Sequence, residues 1–357
     1  MTDKKFGTQA QEIMQKATVP VRTKKICAGK FRRYHKVSFI KQLFNVSTNF
    51  KNFRDLFSTM FGFFESLWIL LRFRPDVVFT KGGFVCVPLG LAAHILKIPI
   101  VIHDSDAHPG LANRILARWA TTIATGSPLE NYDYPASRSH YVGIPVNATF
   151  HPIKPTEQQR LKGALGLHDT KKPLVVVTGG GLGARNINRA ITAIAPQLLD
   201  KTAIVHVTGS GNYQEVLAQA PEHIDYIARP FISGLAPLFG AADVVITRAG
   251  ATTTQELAAM AKPVIIVPNP FLTGGHQLKN AAVYEKANAA LVIEEEELVT
   301  KPTVLRRAVE ELLADAKKRA QYGLRLYAFA KPDAAVDMAA LIVEAAAARK
   351  HQQSAED

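Results

Sequence analysis

Three clusters of glycine, hydroxyl and amide residues could each handle a phosphate or a sugar. The first, Gly179-Gly180-Gly181-Leu182-Gly183-Ala184-Arg185, follows the apolar run 174–178 and opens a helical pattern. Glycines let a diphosphate approach the backbone closely, and the first free N–H groups of a helix meet it with the positive end of the dipole. Gly179, Gly181 and Ala184 also satisfy the spacing G-x-G-x-x-G/A. A dinucleotide reading needs an acid at the end of the next strand to hold a ribose. That strand ends His206-Val207-Thr208-Gly209-Ser210-Gly211, without one, which argues against a nicotinamide dehydrogenase. The alternative is a tight strand-to-helix turn with no ligand.

The second cluster is Arg248-Ala249-Gly250-Ala251-Thr252-Thr253-Thr254-Gln255-Glu256. Its hydroxyls and helix-start N–H groups suit phosphate, while Glu256 in the first turn can cap the helix or accept two hydrogen bonds from a ribose diol. Pro268-Asn269-Pro270 and the run Gly274-Gly275-His276-Gln277-Leu278-Lys279-Asn280-Ala281 form the third. Amides there can reach a sugar or uracil edge, although alone this is a polar loop. Earlier in the chain, Lys81-Gly82-Gly83-Phe84 and His103-Asp104-Ser105-Asp106-Ala107-His108 each follow a strand-like run. Asp104 or His103 could serve as general base on an acceptor hydroxyl, and His103 could equally be a core histidine bonded to backbone. Asp104-Ser105-Asp106 spells D-x-D, a divalent-cation pattern of a different, single-domain fold, so no metal site is assigned.

The elements that must carry these residues alternate. Runs 76–80, 99–103 and 121–125 read as buried parallel strands separated by helical stretches. The proline-rich segment 143–155 reads as a linker. A second series then begins afresh, with strands at 173–180, 203–209, 225–231, 243–250 and 263–270. Repeated βα units in two halves predict two Rossmann-like domains with parallel sheets, 1–148 and 156–333, and a closing helix, 334–349, that packs back on the first. In such folds ligands lie at the carboxyl ends of strands, where all the clusters fall.

The chain has 357 residues, with 43 Lys and Arg against 30 Asp and Glu and 47% hydrophobic residues, which excludes disorder as the dominant state. The charge is lopsided. Residues 1–74 hold fifteen basic and four acidic side chains, and eleven of the eighteen Phe. Two cysteines, Cys27 and Cys86, build no disulfide framework, which suits a reducing, cytosolic setting. The apolar run Leu56–Leu71 is about sixteen residues and holds Glu65, so it is not expected to span a bilayer. A helix over 50–73 would instead carry Phe53, Phe57, Phe61, Phe64 and Trp68 on one stripe and Leu56, Phe63, Leu67 and Leu70 on another. With Lys51, Arg54, Arg72 and the basic segment 24–41 beside it, one stripe can face an anionic bilayer. A helix buried on both sides is the alternative.

Taken together, HDSDAHPGLANR (103–114), GGGLGAR (179–185), RAGATTTQE (248–256) and HQLKNA (276–281) resemble the MurG family from about residue 7 to the closing helix. The resemblance implies the two-domain GT-B fold and an inverting transferase without a firmly bound metal or cofactor. Such an enzyme moves N-acetylglucosamine from UDP-GlcNAc to undecaprenyl-diphosphate-linked muramyl-pentapeptide, in peptidoglycan synthesis and hence in cell-wall growth, shape and division. It also implies a peripheral position on the cytoplasmic face of the cell membrane; the oligomeric state stays open. The family's donor contacts fall on Gly181, Ile232, the run Ala251, Thr252, Thr253, Thr254, Gln255 and Glu256, and on His276 and Gln277, with Glu256 on the ribose. Helix starts at Gly181, Gly183 and Arg185 and at Ala251–Thr254 would stabilise the departing diphosphate. Asp104 is taken as base, with His103 the second candidate.

Three positions depart from the family pattern: Gly181 stands for a Ser, Asn147 for an Arg, and His103-Asp104-Ser105-Asp106 for H-E-x-N. A larger departure is the missing first βα unit, a strand and a Gly-rich loop ending in His. Met1–Thr8 reads as the end of the second strand running into a helix over 7–17. Because the first strand of such a sheet is central, its absence leaves two strand edges unpaired, and the unit is expected upstream or from another chain. Rival readings are a GT-B transferase on another acceptor, a UDP-GlcNAc epimerase, and an inactive binder of UDP-GlcNAc. A nucleic-acid module is excluded because no helix-turn-helix, RRM or zinc spacing accompanies the basic segment.

Overall fold

The computed structural model describes residues 1–3, 11, 14, 19–30, 46–180 and 183–356. The expected helix over 7–17 falls mostly outside them, as does Gly181. The chain divides into two compact units, one of Met1–Gly143 with Ala335–Asp357 and one of Ile144–Ala334. The sequence placed the border later, at 148. Ile144 is buried, and Phe150 and Ile153 pack on the core of the second unit, so the proline-rich stretch belongs to that unit.

The second unit holds six parallel strands: β7 (Leu174–Thr178), β8 (Ala203–Val207), β9 (Tyr226–Arg229), β10 (Val244–Thr247), β11 (Val264–Ile266) and β12 (Leu291–Val292). Their order is β12-β11-β10-β7-β8-β9. In the unit's own numbering that is 6-5-4-1-2-3, the doubly wound pattern. β12, only two residues long, gave no strand signal in the sequence. β7 and β8 are buried at all five positions, as strands covered on both faces must be. Their side chains alternate between two cores. Leu174, Val176, Ala203 and Val205 join one; Val175, Val177 and Ile204 join the other. The second is closed by Ile187, Ala190, Ile191, Ile194 and Leu198 of α5 (Arg185–Leu198), spaced at three and four residues.

The first unit carries β1 (Thr2–Asp3), β2 (Lys25–Ile26), β3 (Val78–Thr80), β4 (Ile100–Asp104), β5 (Thr122–Thr125) and β6 (Ser139–Tyr141), with α1 (Val46–Phe73), α2 (Cys86–Ile95) and α3 (Leu111–Leu116). Among the described residues its strand pairs are parallel and fall in two sheets, β1-β2 and β3-β4-β5-β6. Among the described residues, β1 pairs only with β2 and β3 only with β4, whereas β7 of the second unit has partners on both sides. The closing helix, α13 (Ala334–Glu356), buries Met338 against Ala124 and Val142.

Helix α1 is docked along one line of residues: Asp55, Gly62, Ser66 and Leu70 are buried. A Cβ on Gly62 would lie 1.7 Å from the carbonyl oxygen of Cys27, so only glycine admits this approach. Glu65, unexpected in an apolar helix, accepts the backbone N–H of Cys27. Leu56, which spacing groups with Phe63, Leu67 and Leu70, is 53% exposed, because the buried line passes through Asp55 instead. The apolar stretch is also longer than its sequence suggested. Asn52–Phe73, 22 residues, is long and apolar enough to cross a bilayer by length and composition.

Candidate functional site

In the second unit, β7 and β10 are hydrogen-bonded neighbours with Thr178 opposite Thr247. Each ends at the same edge of the sheet, and each is followed by a short loop and a helix: α5 after β7, and α8 (Ala251–Ala259) after β10. Strand order reverses at this pair, the switch point at which doubly wound sheets open a crevice. Two helix N-termini thus start side by side at the crevice, and backbone N–H groups of their first turns are free to bind an anion.

The glycine loop is built for close approach. Gly183 has φ +74°, and a Cβ there would lie 2.4 Å from the carbonyl oxygen of Thr208, so the loop after β7 sits against the loop after β8. Asn188 reinforces that contact: its amide donates to Thr208 O at 2.9 Å while its oxygen accepts from His206 Nε2 at 3.0 Å. The other nitrogen of His206 meets the Tyr226 hydroxyl at 2.7 Å. Burial lowers His206 to about 4, which keeps it neutral in this network.

The run Ala251–Glu256 divides by helical periodicity. Thr252 is exposed and Ala251, Thr253 and Glu256 are half-buried, whereas Thr254 and Gln255 are buried. The Thr254 hydroxyl donates to Gly250 O at 2.9 Å, and the Gln255 amide donates to Phe329 O at 2.8 Å. These two side chains, assigned to the ligand by position in the run, are turned into the protein, because a helix cannot present six successive residues to one side. Burial raises the Glu256 carboxyl to about 7.

The remaining donor candidates are more scattered. Ile232 is half-buried, packed against the core. Arg185 is exposed and faces Glu215 at 3.6 Å. His276 is half-buried at the start of α9 (His276–Lys286), and Gln277 Oε1 accepts the N–H of Asn269 at 2.9 Å, fixing the loop after β11. Asn147 is exposed and its Oδ1 accepts from Thr149 N at 2.9 Å, the bond of a local turn.

In the first unit the ends of β3 and β4 bring together Lys81, His103, Asp104 and Asn113. His103 is fully buried, with Nε2–H donating to Gly143 O at 2.8 Å and Nδ1 accepting from the Ser105 hydroxyl at 3.2 Å. Burial lowers it to about 4, against the pull of the Gly143 bond. Both ring nitrogens are engaged, which is the core-histidine alternative. Asp104 is 4% exposed and accepts the Tyr134 hydroxyl at 2.9 Å. Burial raises its carboxyl to about 6; the Tyr134 and Asn113 hydrogen bonds oppose the rise and the Asp106 charge adds to it. Asp106 is half-buried on the following loop, where its carbonyl accepts the Tyr132 hydroxyl at 2.7 Å. Tyr132 and Tyr134 stack at 5.6 Å with planes 9° apart. Burial also lowers Lys81. Tyr134 was not foreseen: it lies thirty residues from Asp104, with no spacing to connect them.

On α1, Phe53, Phe61, Phe64 and Trp68 are 59–62% exposed, and Phe57 is 44% exposed. The Arg72 guanidinium lies 5.8 Å from the Trp68 ring, and Arg54 is exposed beside Asp55. The side chain of Lys51 lies outside the described residues. A cavity of about 650 Å³, lined by Val21, Arg22, Lys24, Trp68, Arg72 and Phe73 among others, opens at the end of this stripe.

Comparison with known proteins follows the same division. Residues 174–338 match the glycosyltransferase family 28 C-terminal domain and residues 6–125 the family 28 N-terminal domain. A UDP-N-acetylglucosamine--N-acetylmuramyl-(pentapeptide) pyrophosphoryl-undecaprenol N-acetylglucosamine transferase of Halothermothrix orenii is 39% identical over 275 residues, 74% of this chain and 73% of the relative. Among solved structures, Acinetobacter baumannii MurG superposes with a TM-score of 0.68 at 23% identity, over 96% of this chain and 93% of its own. The UDP-GlcNAc 2-epimerase of Neisseria meningitidis, bound to UDP-GlcNAc, gives 0.57 at 12% identity, over 80% and 81%. These two likenesses speak to the α/β GT-B fold.

Proposed function

Because the chain belongs to the UDP-N-acetylglucosamine–N-acetylmuramyl-(pentapeptide) pyrophosphoryl-undecaprenol N-acetylglucosamine transferase family, we propose that it transfers N-acetylglucosamine from UDP-GlcNAc to the lipid-linked muramyl-pentapeptide. The observation that carries the reading is the pair of helix N-termini at the β7/β10 switch point. Their N–H groups suit a diphosphate that gains negative charge as it departs. Glu256, as a carboxylate, accepts the two ribose hydroxyls one helical turn further on. The muramyl 4-hydroxyl attacks the anomeric carbon from the face opposite the diphosphate. Its proton goes to a base as the bond to UDP breaks, and the anomeric centre inverts.

Asp104 is that base. Its carboxyl, raised to about 6, is largely ionised at neutral pH and still basic enough to take the proton. His103 holds the end of β4 in place through Gly143 and Ser105. The exposed aromatic face of α1, flanked by Arg54 and Arg72, lies on an anionic bilayer at the cytoplasmic face, where the lipid acceptor resides. Incubation with radiolabelled UDP-GlcNAc and the lipid-linked acceptor tests the whole reading. Label moving into the lipid fraction supports it. Release of free sugar alone, or conversion to UDP-ManNAc, refutes it in favour of hydrolysis or epimerisation.

A further inference from the structure

Arg248 is the most conspicuous cation of the donor-side loops, and its position one residue beyond β10 suggests a phosphate ligand. The geometry gives it a different task. It is 8% exposed, and both terminal nitrogens are engaged: Nη1 donates to Val267 O at 3.1 Å and Nη2 pairs with Glu295 Oε1. Glu295, 4% exposed, opens α10 (Glu295–Thr300). The same Glu295 oxygen accepts the Asn186 amide at 3.0 Å. Asn186 is the second residue of α5, whose N–H groups follow the glycine loop. Three side chains therefore join the end of β10, the end of β11, and the starts of α5 and α10, all at the ligand edge of the sheet.

We infer that Arg248, Glu295 and Asn186 are positioning residues that hold the N-termini of α5 and α8 in the relation the donor diphosphate requires, and that Arg248 does not itself bind phosphate. The inference rests on the donor-site reading above. A guanidinium suits the task because its planar fork reaches a carboxylate and a carbonyl at fixed angles, which an ammonium cannot do. The pair is buried, and replacing both partners of a buried pair by apolar side chains of similar volume is often neutral for stability. Stability and positioning are therefore separable.

The test compares UDP affinity by calorimetry, steady-state donor and acceptor KM, and melting temperature for the full chain and four variants. Wild type binds UDP. Asn186→Ala, which leaves the ion pair intact, weakens UDP binding severalfold with little change in melting temperature. Glu295→Ala weakens it by about tenfold, the equivalent of about 1.4 kcal/mol of lost positioning, and raises the donor KM while the acceptor KM stays. Glu295→Gln, which keeps an oxygen for Arg248 and Asn186, recovers part of the affinity. The double variant Arg248→Met with Glu295→Leu recovers melting temperature without recovering UDP affinity. If the double variant regains both, the residues only fill space and the inference fails. Unchanged or tighter UDP binding in Glu295→Ala also overturns it, by making the freed Arg248 a phosphate ligand. Absence of UDP binding by wild type overturns the donor-site reading itself, and the clamp with it.

Discussion

Replacing Tyr134 with Phe removes one hydroxyl and little else: the ring still stacks on Tyr132. That hydroxyl donates to Asp104 Oδ2 at 2.9 Å, and it leads the influences that hold the buried carboxyl down. A hydrogen bond to an ionised group is worth about 1.5–3 kcal/mol, and one pKa unit corresponds to about 1.36 kcal/mol, so its loss raises Asp104 by about one to two units. From about 6, the carboxyl moves to about 7–8. The other groups near it, Asp106, Asn113, Lys81, His103, Arg114 and Tyr132, are unchanged by the substitution. If Asp104 accepts the proton, the acid limb of kcat/KM for the acceptor, measured with UDP-GlcNAc saturating so that Glu256 is already engaged, shifts alkaline by the same one to two units. At pH 6 the variant falls about five- to fiftyfold below wild type, and at pH 9 the two agree within a few-fold. The assay is transfer from UDP-GlcNAc to the lipid-linked acceptor between pH 5.5 and 9, with the melting temperature of the variant as a check on folding. An acid limb with the same midpoint in both proteins refutes the assignment of Asp104 as base.

Asp104→Asn should lower turnover by about a hundredfold or more while stabilising the fold at neutral pH. The native carboxyl binds its proton more tightly than the unfolded one, so stability falls as pH rises from about 4 to 6. Removing the charge restores up to about 3 kcal/mol above that window and nothing below it, as melting curves at pH 4 and 8 will show. Glu256→Gln should weaken UDP binding about ten- to a hundredfold at pH 8, the worth of hydrogen bonds to a carboxylate. With the wild-type group near 7, protonation below that value costs the wild type its advantage, so the gap narrows at pH 6 in calorimetry. On α1, Phe61→Ser with Trp68→Ser should reduce binding to anionic vesicles by at least about tenfold without lowering the melting temperature, because both side chains are already in water. Sedimentation with vesicles in 0.5 M salt should weaken wild-type binding as well; salt-independent binding would remove Arg54 and Arg72 from the interaction.

What could be read from the sequence follows the range of the interaction concerned. β7, β8 and β10 are short apolar runs that end in small or polar residues, and that pattern is local, so both the strands and the ligand edge were legible. β12 and β6 were not, since Leu291–Val292 and Ser139–Tyr141 owe their strand state to neighbours already in place. Side-chain roles were harder. Thr254 and Gln255 share a run with Thr253 and Glu256, and the roughly 100° rotation from one helical residue to the next decides which of them meet a ligand. His103 could equally have been catalytic or structural by its spacing; the hydrogen bond that Gly143 O, forty residues away, accepts from its Nε2–H makes it structural. Arg248 makes the same point most strongly. Composition favours a lone arginine in a hydroxyl- and glycine-rich loop as a phosphate ligand, yet Glu295, forty-seven residues on, already occupies its guanidinium. A charge in a site is free to bind a ligand only if the fold has not paired it, and pairing is a property of tertiary contacts that no local spacing encodes.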